Sequence, residues 1–149
     1  MPTIAVEDPD QPEVRALLAE ADGFYAGLNP AERNYLLDMA SLKEPGVAFY
    51  VARVEGRAVG CGALVSQGDW GEIKRMYVAP AARGRKLGRL ILEALEARAR
   101  ELGIGIIRLE TGIRQSPALS LYRSSGYRER GPFGAYALDH TSVFMEKRL

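Results

Sequence analysis

The stretch from residue 72 to residue 102 constrains the fold of this chain more than any other. Glu72 to Val78 alternates between polar and apolar residues as a strand does, and Pro80 stops it. After a loop rich in glycine and arginine, a long helix is predicted from about Arg85 to Leu102, with one apolar stripe and a charged opposite side. Gly103 suits the end of that helix. A helix with a single apolar stripe needs another layer to pack on, so the pattern indicates a sheet covered by helices.

Two helices are predicted before this stretch. A short strand at Ile4 to Val6 precedes the first, in which apolar residues recur at helical spacing from Val14. The second begins at Asn29–Pro30, where a capping residue is followed by proline at the first helical position. Its apolar side comprises Tyr35, Leu36, Met39 and Ala40.

Two further strands precede Glu72. Val47–Val54 is rich in valine and aromatic residues, and Ala58–Val65 is predicted as its return strand. Glu55–Gly56 resembles the tight turn of a hairpin. Together with Glu72–Val78, these strands are expected to form an antiparallel meander.

The remaining elements follow the long helix. Ile104–Glu110 is a continuous apolar strand, which predicts a central, buried position. A short helix at Pro117–Ser125 ends at Gly126, and closing strands follow at Tyr127–Arg130 and Ser142–Lys147. The order predicts an α/β fold with a mixed (α+β) sheet and helices on both faces.

Composition excludes several classes of protein. The 149 residues carry 20 basic and 19 acidic side chains, so no excess of positive charge favours nucleic acid or an anionic membrane. The lone cysteine, Cys61, excludes an internal disulfide, and there is neither a signal-peptide pattern nor an apolar run of 18 residues. His140 and Cys61 cannot build a usual zinc site, so no metal is implied. We expect a single cytoplasmic domain spanning residues 1–149.

The loop between the third meander strand and the long helix predicts an anion site. Helix N-termini present outward-pointing N–H groups and a dipole that favours anions, and glycines let a phosphate approach the backbone. Basic side chains are provided by Arg83, Arg85, Lys86 and Arg89. This indicates a pyrophosphate cradle, although an ordinary connection with a basic helix start is the alternative. The Walker and dinucleotide patterns are absent, which argues against an unrelated nucleotide-binding module.

Two motifs in this region and downstream resemble the GNAT superfamily of acyl-CoA-dependent N-acyltransferases. The family's phosphate loop reads Arg/Gln-x-x-Gly-x-Gly/Ala, and residues 83–88 read Arg-Gly-Arg-Lys-Leu-Gly, with Lys86 at the middle glycine. The second signature, Asn-x-x-Ala-x-x-Leu/Phe-Tyr-x-x-x-Gly-Phe/Tyr, matches residues 115–127 except that Gln115 replaces asparagine. Both motifs occur in the family's order. The resemblance implies the GNAT-like fold, strand-helix-helix-three strands-helix-strand-helix-strands, with acceptor specificity in the first 45 residues.

The resemblance also implies acetyl-CoA as co-substrate. In this family the strand before the loop splays from its neighbour and pairs through its backbone with the pantetheine arm. The backbone N–H of Met76 or Val78 would then polarise the thioester carbonyl, and the sequence does not distinguish between them. The implied cofactor-binding residues are Met76, Tyr77, Val78, Arg83, Gly84, Arg85, Lys86, Leu87, Gly88, Arg89, Gln115, Ala118 and Tyr122.

Two residues match catalytic positions of the family. Tyr122 corresponds to the helix tyrosine near the sulfur and is a candidate acid, with a core aromatic as the alternative. Glu72 corresponds to the general base of some members, with a surface carboxylate at a strand start as the alternative. Attack by the neutral fraction of the amine, or loss of its proton through a water chain, would need no such base.

Charges near the predicted site suggest an acceptor that bears a carboxylate. Strand alternation predicts that Lys74 and Arg75 point to opposite faces, so that one of them can meet an acidic acceptor. Arg114, Arg123 and Arg128 add positive charge nearby in sequence. A solvated basic edge, or contacts to the 3′-phosphate of coenzyme A, would explain the same charges.

The aromatic loop at residues 131–136 either lines the acceptor pocket, covers a sheet edge or forms a dimer contact. Cys61, between glycines in a strand, is expected to be a small buried residue, and Trp70 to pack near a strand start. His140 is expected to be a loop residue. The sequence therefore predicts an N-acetyltransferase that transfers acetyl from acetyl-CoA to a primary amine of a small molecule or peptide by direct attack. The alternative is a non-catalytic acyl-CoA-binding regulatory domain on the same fold. The family resemblance also implies a homodimer.

Overall fold

The computed structural model describes residues 2–28 and 37–149. Within them, the strands form one mixed sheet in the order β1-β2-β3-β4-β5-β7-β6. The strands are β1 (Thr3–Val6), β2 (Val47–Val54), β3 (Arg57–Ser66), β4 (Trp70–Val78), β5 (Ile106–Gly112), β6 (Arg128–Arg130) and β7 (Ser142–Arg148). The helices are α1 (Pro12–Leu28), α2 (Met39–Leu42), α3 (Leu87–Glu101) and α4 (Ser116–Ser124). β4 and β5 pair in parallel, whereas the other neighbours pair antiparallel.

This architecture confirms the predicted mixed sheet with helices on both faces. Ile91 and Leu95 of α3 are buried in the core on one face. Val14 and Leu17 of α1 are buried in the core on the other face, together with Cys61, which is fully buried as predicted. The antiparallel meander of β2, β3 and β4 is also confirmed.

A glycine in β3 lets α3 lie close to the sheet. A Cβ atom on Gly62 would come within 2.8 Å of Ile91 and 2.7 Å of Met76 Sδ, distances that real Cβ atoms essentially never show. The missing side chain therefore fixes how near the helix and the end of β4 approach each other. That approach positions the N-terminus of α3 beside β4.

Several predicted boundaries are wrong by a few residues. α3 begins at Leu87 rather than Arg85, because Lys86 takes the left-handed conformation (φ 59°) at the cap. β5 begins at Ile106 rather than Ile104, because the N–H of Ile104 donates to the carbonyl of Ala99 and closes the end of α3. The strand occupies an interior place between β4 and β7, as predicted, but its burial alternates instead of being continuous.

The second predicted helix is seen only at its end. α2 (Met39–Leu42) is capped by Asp38, whose carboxylate accepts from the N–H of Ser41 at 2.8 Å. The predicted start at Asn29–Pro30, with Tyr35 and Leu36, lies outside the described residues.

β4 and β5 separate partway along their length. Their parallel ladder ends where Ile73 pairs with Leu109, although β4 continues to Val78 and β5 to Gly112. A bulge in β4 accompanies the separation: the register with β3 shifts between Cys61 and Ala63, and Arg75 has a φ of 62°. The splayed strand implied by the family resemblance is therefore present.

Among the described residues, no helix is both long enough and apolar enough to span a bilayer.

Candidate active site

A cavity of about 590 Å³ lies where β4 and β5 separate. Its volume is typical of sites that hold a small molecule or cofactor. All of the predicted cofactor-binding residues line it except Arg85, whose side chain is exposed. The lining residues are Phe24, Met76, Tyr77, Val78, Arg83, Gly84, Lys86, Leu87, Gly88, Arg89, Arg114, Gln115, Pro117, Ala118, Leu121 and Tyr122. Of these, the sequence analysis did not assign Phe24, Pro117 and Leu121 to cofactor binding, although Leu121 occupies the Leu/Phe position of the second motif.

The N-terminus of α3 contributes backbone donors to this cavity. Hydrogen bonding within the helix begins with the N–H of Leu90 donating to the carbonyl of Lys86 at 3.1 Å, so the preceding N–H groups are those that a helix start leaves for other partners. Gly84 has a φ of 88°, and a Cβ on Gly88 would lie 3.0 Å from Leu121. The loop can therefore admit a phosphate close to its backbone, which fits the pyrophosphate of acetyl-CoA.

Lys86 retains the backbone geometry of the glycine that it replaces. Its φ of 59° and ψ of 24° lie in the left-handed region, which glycine enters freely and other residues enter at a cost of about 1–2 kcal/mol. The substitution therefore changes the side chain at this position while the backbone keeps the loop conformation. The backbone N–H remains in the cavity wall, as expected from the sequence.

Arginine side chains tie the loop to its surroundings. Arg83 Nε donates to the carbonyl of Val78 at 3.1 Å, and its guanidinium lies over the ring of Phe24 with 5.0 Å between Cζ and the ring centroid. Arg89 Nη2 donates to Ser124 Oγ of α4 at 3.1 Å. Both side chains leave further N–H groups of the guanidinium fork for an anion.

The end of β4 presents backbone groups to the split. The N–H of Ala79 donates to the carbonyl of Val59 in β3 at 2.8 Å, whereas the carbonyl of Val78 accepts from Arg83 on the other side. Backbone groups of successive strand residues point to opposite sides, so the N–H of Val78 faces away from β3. Met76 lies two residues earlier and shares this orientation.

Tyr122 is one of the residues that line the cavity. It is buried in α4 with 5% of its surface exposed, and its ring packs edge-on against Tyr127, with 5.8 Å between the centroids. Tyr122 is thus both a core aromatic and a wall of the cavity, so the two interpretations of this residue are compatible. Gln115, the residue before α4, lines the same cavity and is also buried.

Glu72 does not line the cavity. The residue is 4% exposed, and its carboxylate accepts from the hydroxyl of Tyr136 at 2.5 Å. Lys74 Nζ lies 3.4 Å from Glu72 and donates to the same tyrosine hydroxyl at 2.6 Å. The interpretation of Glu72 as a surface carboxylate is therefore wrong, since the loop before β7 covers it.

Glu110 is a second carboxylate that sequence reasoning missed. It is the first β5 residue beyond the end of the parallel ladder, and Ser142 Oγ donates to its Oε2 at 2.7 Å. Burial raises the pKa of the Glu110 carboxyl, although Ser142 and Lys74 act in the opposite direction. A usable signal was present, because Glu110 is the only acidic residue in the apolar strand from 104 to 110.

The predicted opposite orientation of Lys74 and Arg75 is wrong. Because of the bulge, Arg75 and Met76 together oppose Gly62, and the alternation is interrupted. Lys74 pairs with Ala63, which belongs to the core on the α1 face. Arg75 points to that same face, where it pairs with Asp22 of α1 and is 5% exposed on its side chain.

The other basic side chains do not converge on one acceptor. Arg114 lines the cavity, Arg123 pairs with Glu129 at 2.8 Å on the surface, and Arg128 is exposed on β6. The position of Arg114 therefore agrees with the interpretation that it contacts coenzyme A. The exposure of Arg128 agrees with the interpretation of a solvated basic edge.

The aromatic loop folds over the face of the sheet beside Glu72. Phe133 is 5% exposed and packs edge-on against Trp70 and Phe144, with centroids 5.4 and 5.8 Å apart. Tyr136 packs against the same two phenylalanines. The loop thus holds Tyr136 where its hydroxyl reaches Glu72 and Lys74.

Cys61 and His140 take no part in this arrangement. Complete burial raises the pKa of the Cys61 thiol to about 12, so the reactive thiolate does not form near neutral pH. His140 is a loop residue with its side chain 96% exposed, as predicted.

The fold and cavity are those of an acyl-CoA N-acyltransferase, and the comparisons identify the family. A model of the GNAT acetyltransferase family matches residues 13–127, and the chain belongs to this family. The IAA acetyltransferase of Azospirillum brasilense is 48% identical over 149 residues, covering 99% of this chain and 97% of that protein.

Solved structures agree. A candidate acyl-CoA N-acyltransferase from Klebsiella pneumoniae is 41% identical, with a TM-score of 0.85 over 100% of this chain and 98% of the other. The PaiA N-acetyltransferase from Thermoplasma acidophilum, solved in complex with coenzyme A, is 19% identical, has a TM-score of 0.79 and covers 100% and 99% of the two chains. At that identity the likeness supports the fold alone.

The protein is therefore an acetyl-CoA-dependent N-acetyltransferase, with acetyl-CoA as its co-substrate. No comparison supports the alternative of a non-catalytic binding domain.

Proposed function

We propose that the enzyme acetylates a primary amine of a small molecule or peptide, and that the amine attacks the thioester directly. The observation that carries this proposal is the split between β4 and β5. Met76 and Val78 line the cavity there, and the ionisable side chains of Lys74 and Glu110 begin only a few residues away. A held thioester can thus face an amine across the opening, which is the arrangement that direct attack requires.

Acetyl-CoA, when bound, supplies the activated acetyl group, and residues of the cavity hold it. The N–H groups at the start of α3, with Arg83, Lys86 and Arg89, bind the pyrophosphate, and Arg114 adds a further charge. The backbone of Met76, Tyr77 and Val78 and the amide of Gln115 hold the pantetheine arm. The N–H of Val78 faces the split, which favours it as the oxyanion donor.

Tyr122 and Glu72 complete the proposal. Tyr122 lines the cavity and donates a proton to the leaving thiolate. The family resemblance assigns to Glu72 the role of the general base that accepts the proton of the amine. Since Tyr136 and Lys74 cover it, the proton reaches Glu72 through an intermediate group or a water.

The acceptor most consistent with this site arrives as an ammonium ion. The charged groups that act on Glu110 beside the split are the carboxylates of Glu72 and Asp139 and the cation of Lys74. A carboxylate on the acceptor stays a prediction that depends on Lys74 and Arg114. A homodimer and a cytoplasmic location also remain predictions, as does a single domain over residues 1–149.

Binding and turnover test the proposal separately. Calorimetric titration should show binding of acetyl-CoA and coenzyme A but not of ATP or NAD. Thiol release is then measured with methylamine, butylamine, benzylamine, 2-phenylethylamine, lysine and hydroxylamine. Acetylation of at least one primary amine is expected. If acetyl-CoA binds but no amine in the series is acetylated, the proposed direct transfer to small amines is wrong.

A further inference from the structure

A second cavity, of about 550 Å³, lies at the edge of the sheet where β6 stops pairing with β7. The β6–β7 ladder begins with Arg128 opposite Glu146, whereas β7 continues to Arg148. Lys147 and Arg148 line the cavity together with Gly126 and all three residues of β6. The cavity is therefore an open notch in the edge of the sheet.

β7 presents a backbone donor to this notch. The N–H of Leu149 donates to the carbonyl of Gly105 at 2.9 Å, on the β5 side of β7. Backbone groups of successive strand residues point to opposite sides, so the N–H of Arg148 faces the notch. The ladder with β6 ends before this residue, because the chain enters β6 from α4 at Gly126 with a φ of 96°. A ligand with acceptor oxygens can therefore bind where the edge strand is missing.

At this end of the sheet, four arginines share a face with one carboxylate, that of Glu146. Arg108 Nε and Arg130 Nη1 both donate to Glu146 Oε1. Arg128 lies directly opposite Glu146 in the ladder, and Arg148 lies two residues further along β7, so both belong to the same face. Among the residues that the structure describes, neither Arg128 nor Arg148 has an ion-pair partner.

The other charged side chains of the notch are neutralised by partners outside it. Glu129 accepts from Arg123 of α4 at 2.8 Å, and Lys147 donates to the buried Glu96 of α3 at 3.0 Å. Hydrogen bonds from its arginines hold the pKa of the Glu146 carboxyl below its usual value, so this group stays ionised. Its single negative charge stands against four guanidinium groups, and the excess positive charge is unfavourable unless an anion binds.

We propose that the notch is a binding site for a small molecule that carries two or more adjacent phosphate groups. The planar guanidinium fork of arginine matches phosphate oxygens, and it keeps its charge at every working pH. Donors reach the notch from both strands and from the backbone of β7. A tetrahedral phosphate can accept from several directions at once, which a planar carboxylate cannot do equally well. The excess of positive charge favours a ligand with several negative charges.

The notch is separate from the acetyl-CoA cavity. Arg148 pairs with Ile106 at the start of β5, whereas the acetyl-CoA cavity lies beyond the pair of Ile73 and Leu109, toward the other end of that strand. The two cavities have no lining residue in common. The proposed site is therefore additional to acetyl transfer and does not rest on the proposed function.

Calorimetric titration with tripolyphosphate tests the site in protein that is already saturated with coenzyme A. Saturation fills the phosphate loop before α3, so that loop cannot account for the binding heat. We expect one tripolyphosphate to bind per chain. Each of Arg128→Gln and Arg148→Gln should raise the Kd about tenfold or more, the usual effect of losing a hydrogen bond to a charged group, and the double variant should lose more. Arg57→Gln, at an exposed arginine of β3, is the matched control and should bind as the wild type does.

Three results would overturn the proposal: no binding to the wild type, an unchanged Kd in the double variant, or an equal loss in Arg57→Gln. Tighter binding of citrate than of tripolyphosphate would overturn the phosphate class. A weaker Kd for acetyl-CoA in the double variant would make these arginines part of the cofactor site instead. Binding of a single-stranded oligonucleotide without binding of tripolyphosphate would assign the notch to nucleic acid and overturn the small ligand. We expect the double variant to keep the wild-type Tm and the wild-type rate of thiol release, because both side chains are exposed.

Discussion

The cofactor side and the acceptor side of β4 are built from different kinds of sequence. The cofactor cavity is formed largely by consecutive residues, 76–89, that run through one strand, one loop and one helix start. The acceptor side joins Glu72, Glu110, Tyr136 and Ser142, which belong to two strands, a loop and a third strand. The first side relies on backbone groups and glycines, and the second relies on side chains that meet only in the folded protein.

This difference separates two kinds of mutational effect. A change on the cofactor side should alter affinity for acetyl-CoA and leave acceptor kinetics intact once acetyl-CoA is saturating. A change on the acceptor side should do the reverse. Tyr122 stands between them, because it lines the cavity and yet acts on the reacting sulfur.

The largest effect is expected from Tyr122→Phe. The ring keeps its packing on Tyr127, so acetyl-CoA should bind as in the wild type, but the proton for the thiolate is lost. We expect kcat to fall by about 10²–10⁴, as measured by thiol release at saturating acetyl-CoA. Tyr50→Phe, on β2 and half-buried, is the control and should be near wild type. If kcat survived in Tyr122→Phe, another group or solvent would supply the proton.

Arg83→Ala should act on the cofactor side alone. It removes a charged donor from the cavity and the contact to the Val78 carbonyl. Loss of a hydrogen bond to a charged group costs about 1.5–3 kcal/mol, which corresponds to a rise of about 10–100-fold in the Kd for acetyl-CoA. Calorimetry at two salt concentrations checks this, with the exposed Arg57→Ala as control. An unchanged Kd would exclude Arg83 from phosphate binding.

Tyr136→Phe should act on the acceptor side alone. It removes the hydroxyl shared by Glu72 and Lys74 but keeps the ring between Phe133 and Phe144. Leaving buried polar groups without that partner costs about 1–3 kcal/mol, so kcat/KM for the amine should fall about tenfold. Acetyl-CoA affinity should not change. A weaker Kd for acetyl-CoA with normal acceptor kinetics would contradict the division between the two sides.

The smallest effect is expected on the stability of the folded protein, and it tests the raised pKa of the Glu110 carboxyl. Because burial raises the pKa of this carboxyl, the native state binds more protons than the unfolded state as pH rises past the ordinary glutamate pKa, and stability falls through that window. Glu110→Gln mimics the protonated form and should raise Tm at pH 7–8, while the difference vanishes in acid where both states are protonated. Thermal unfolding across pH checks this, and exposed Glu93→Gln should show no such trend.

The cofactor side of the site could be predicted from the sequence better than the acceptor side. The motif around residues 83–88 and the helix that follows were readable because phosphate binding needs a local order of glycine, cation and helix start. The family resemblance implied Met76, Gln115 and Tyr122 as cofactor-binding residues, and all three line the cavity in the structure. Glu110 was missed, although an acidic residue at the end of an apolar strand was a visible signal.

The faces of Lys74 and Arg75 could not be predicted from alternation. The extra residue in β4 and the positive φ of Arg75 reverse the pattern after Lys74, and no glycine marks that position. A bulge depends on pairing with a neighbouring strand, and its position is set by the two strands together.

The sequence by itself determined the element order, the amphipathic helices and the phosphate loop, because periodicity, caps and backbone donors depend on neighbours along the chain. The tertiary structure alone decided where β4 and β5 separate and how a distant loop brings Tyr136 to Glu72. Those features depend on strand register, burial and charges contributed by other strands, and none of these is a property of a local segment.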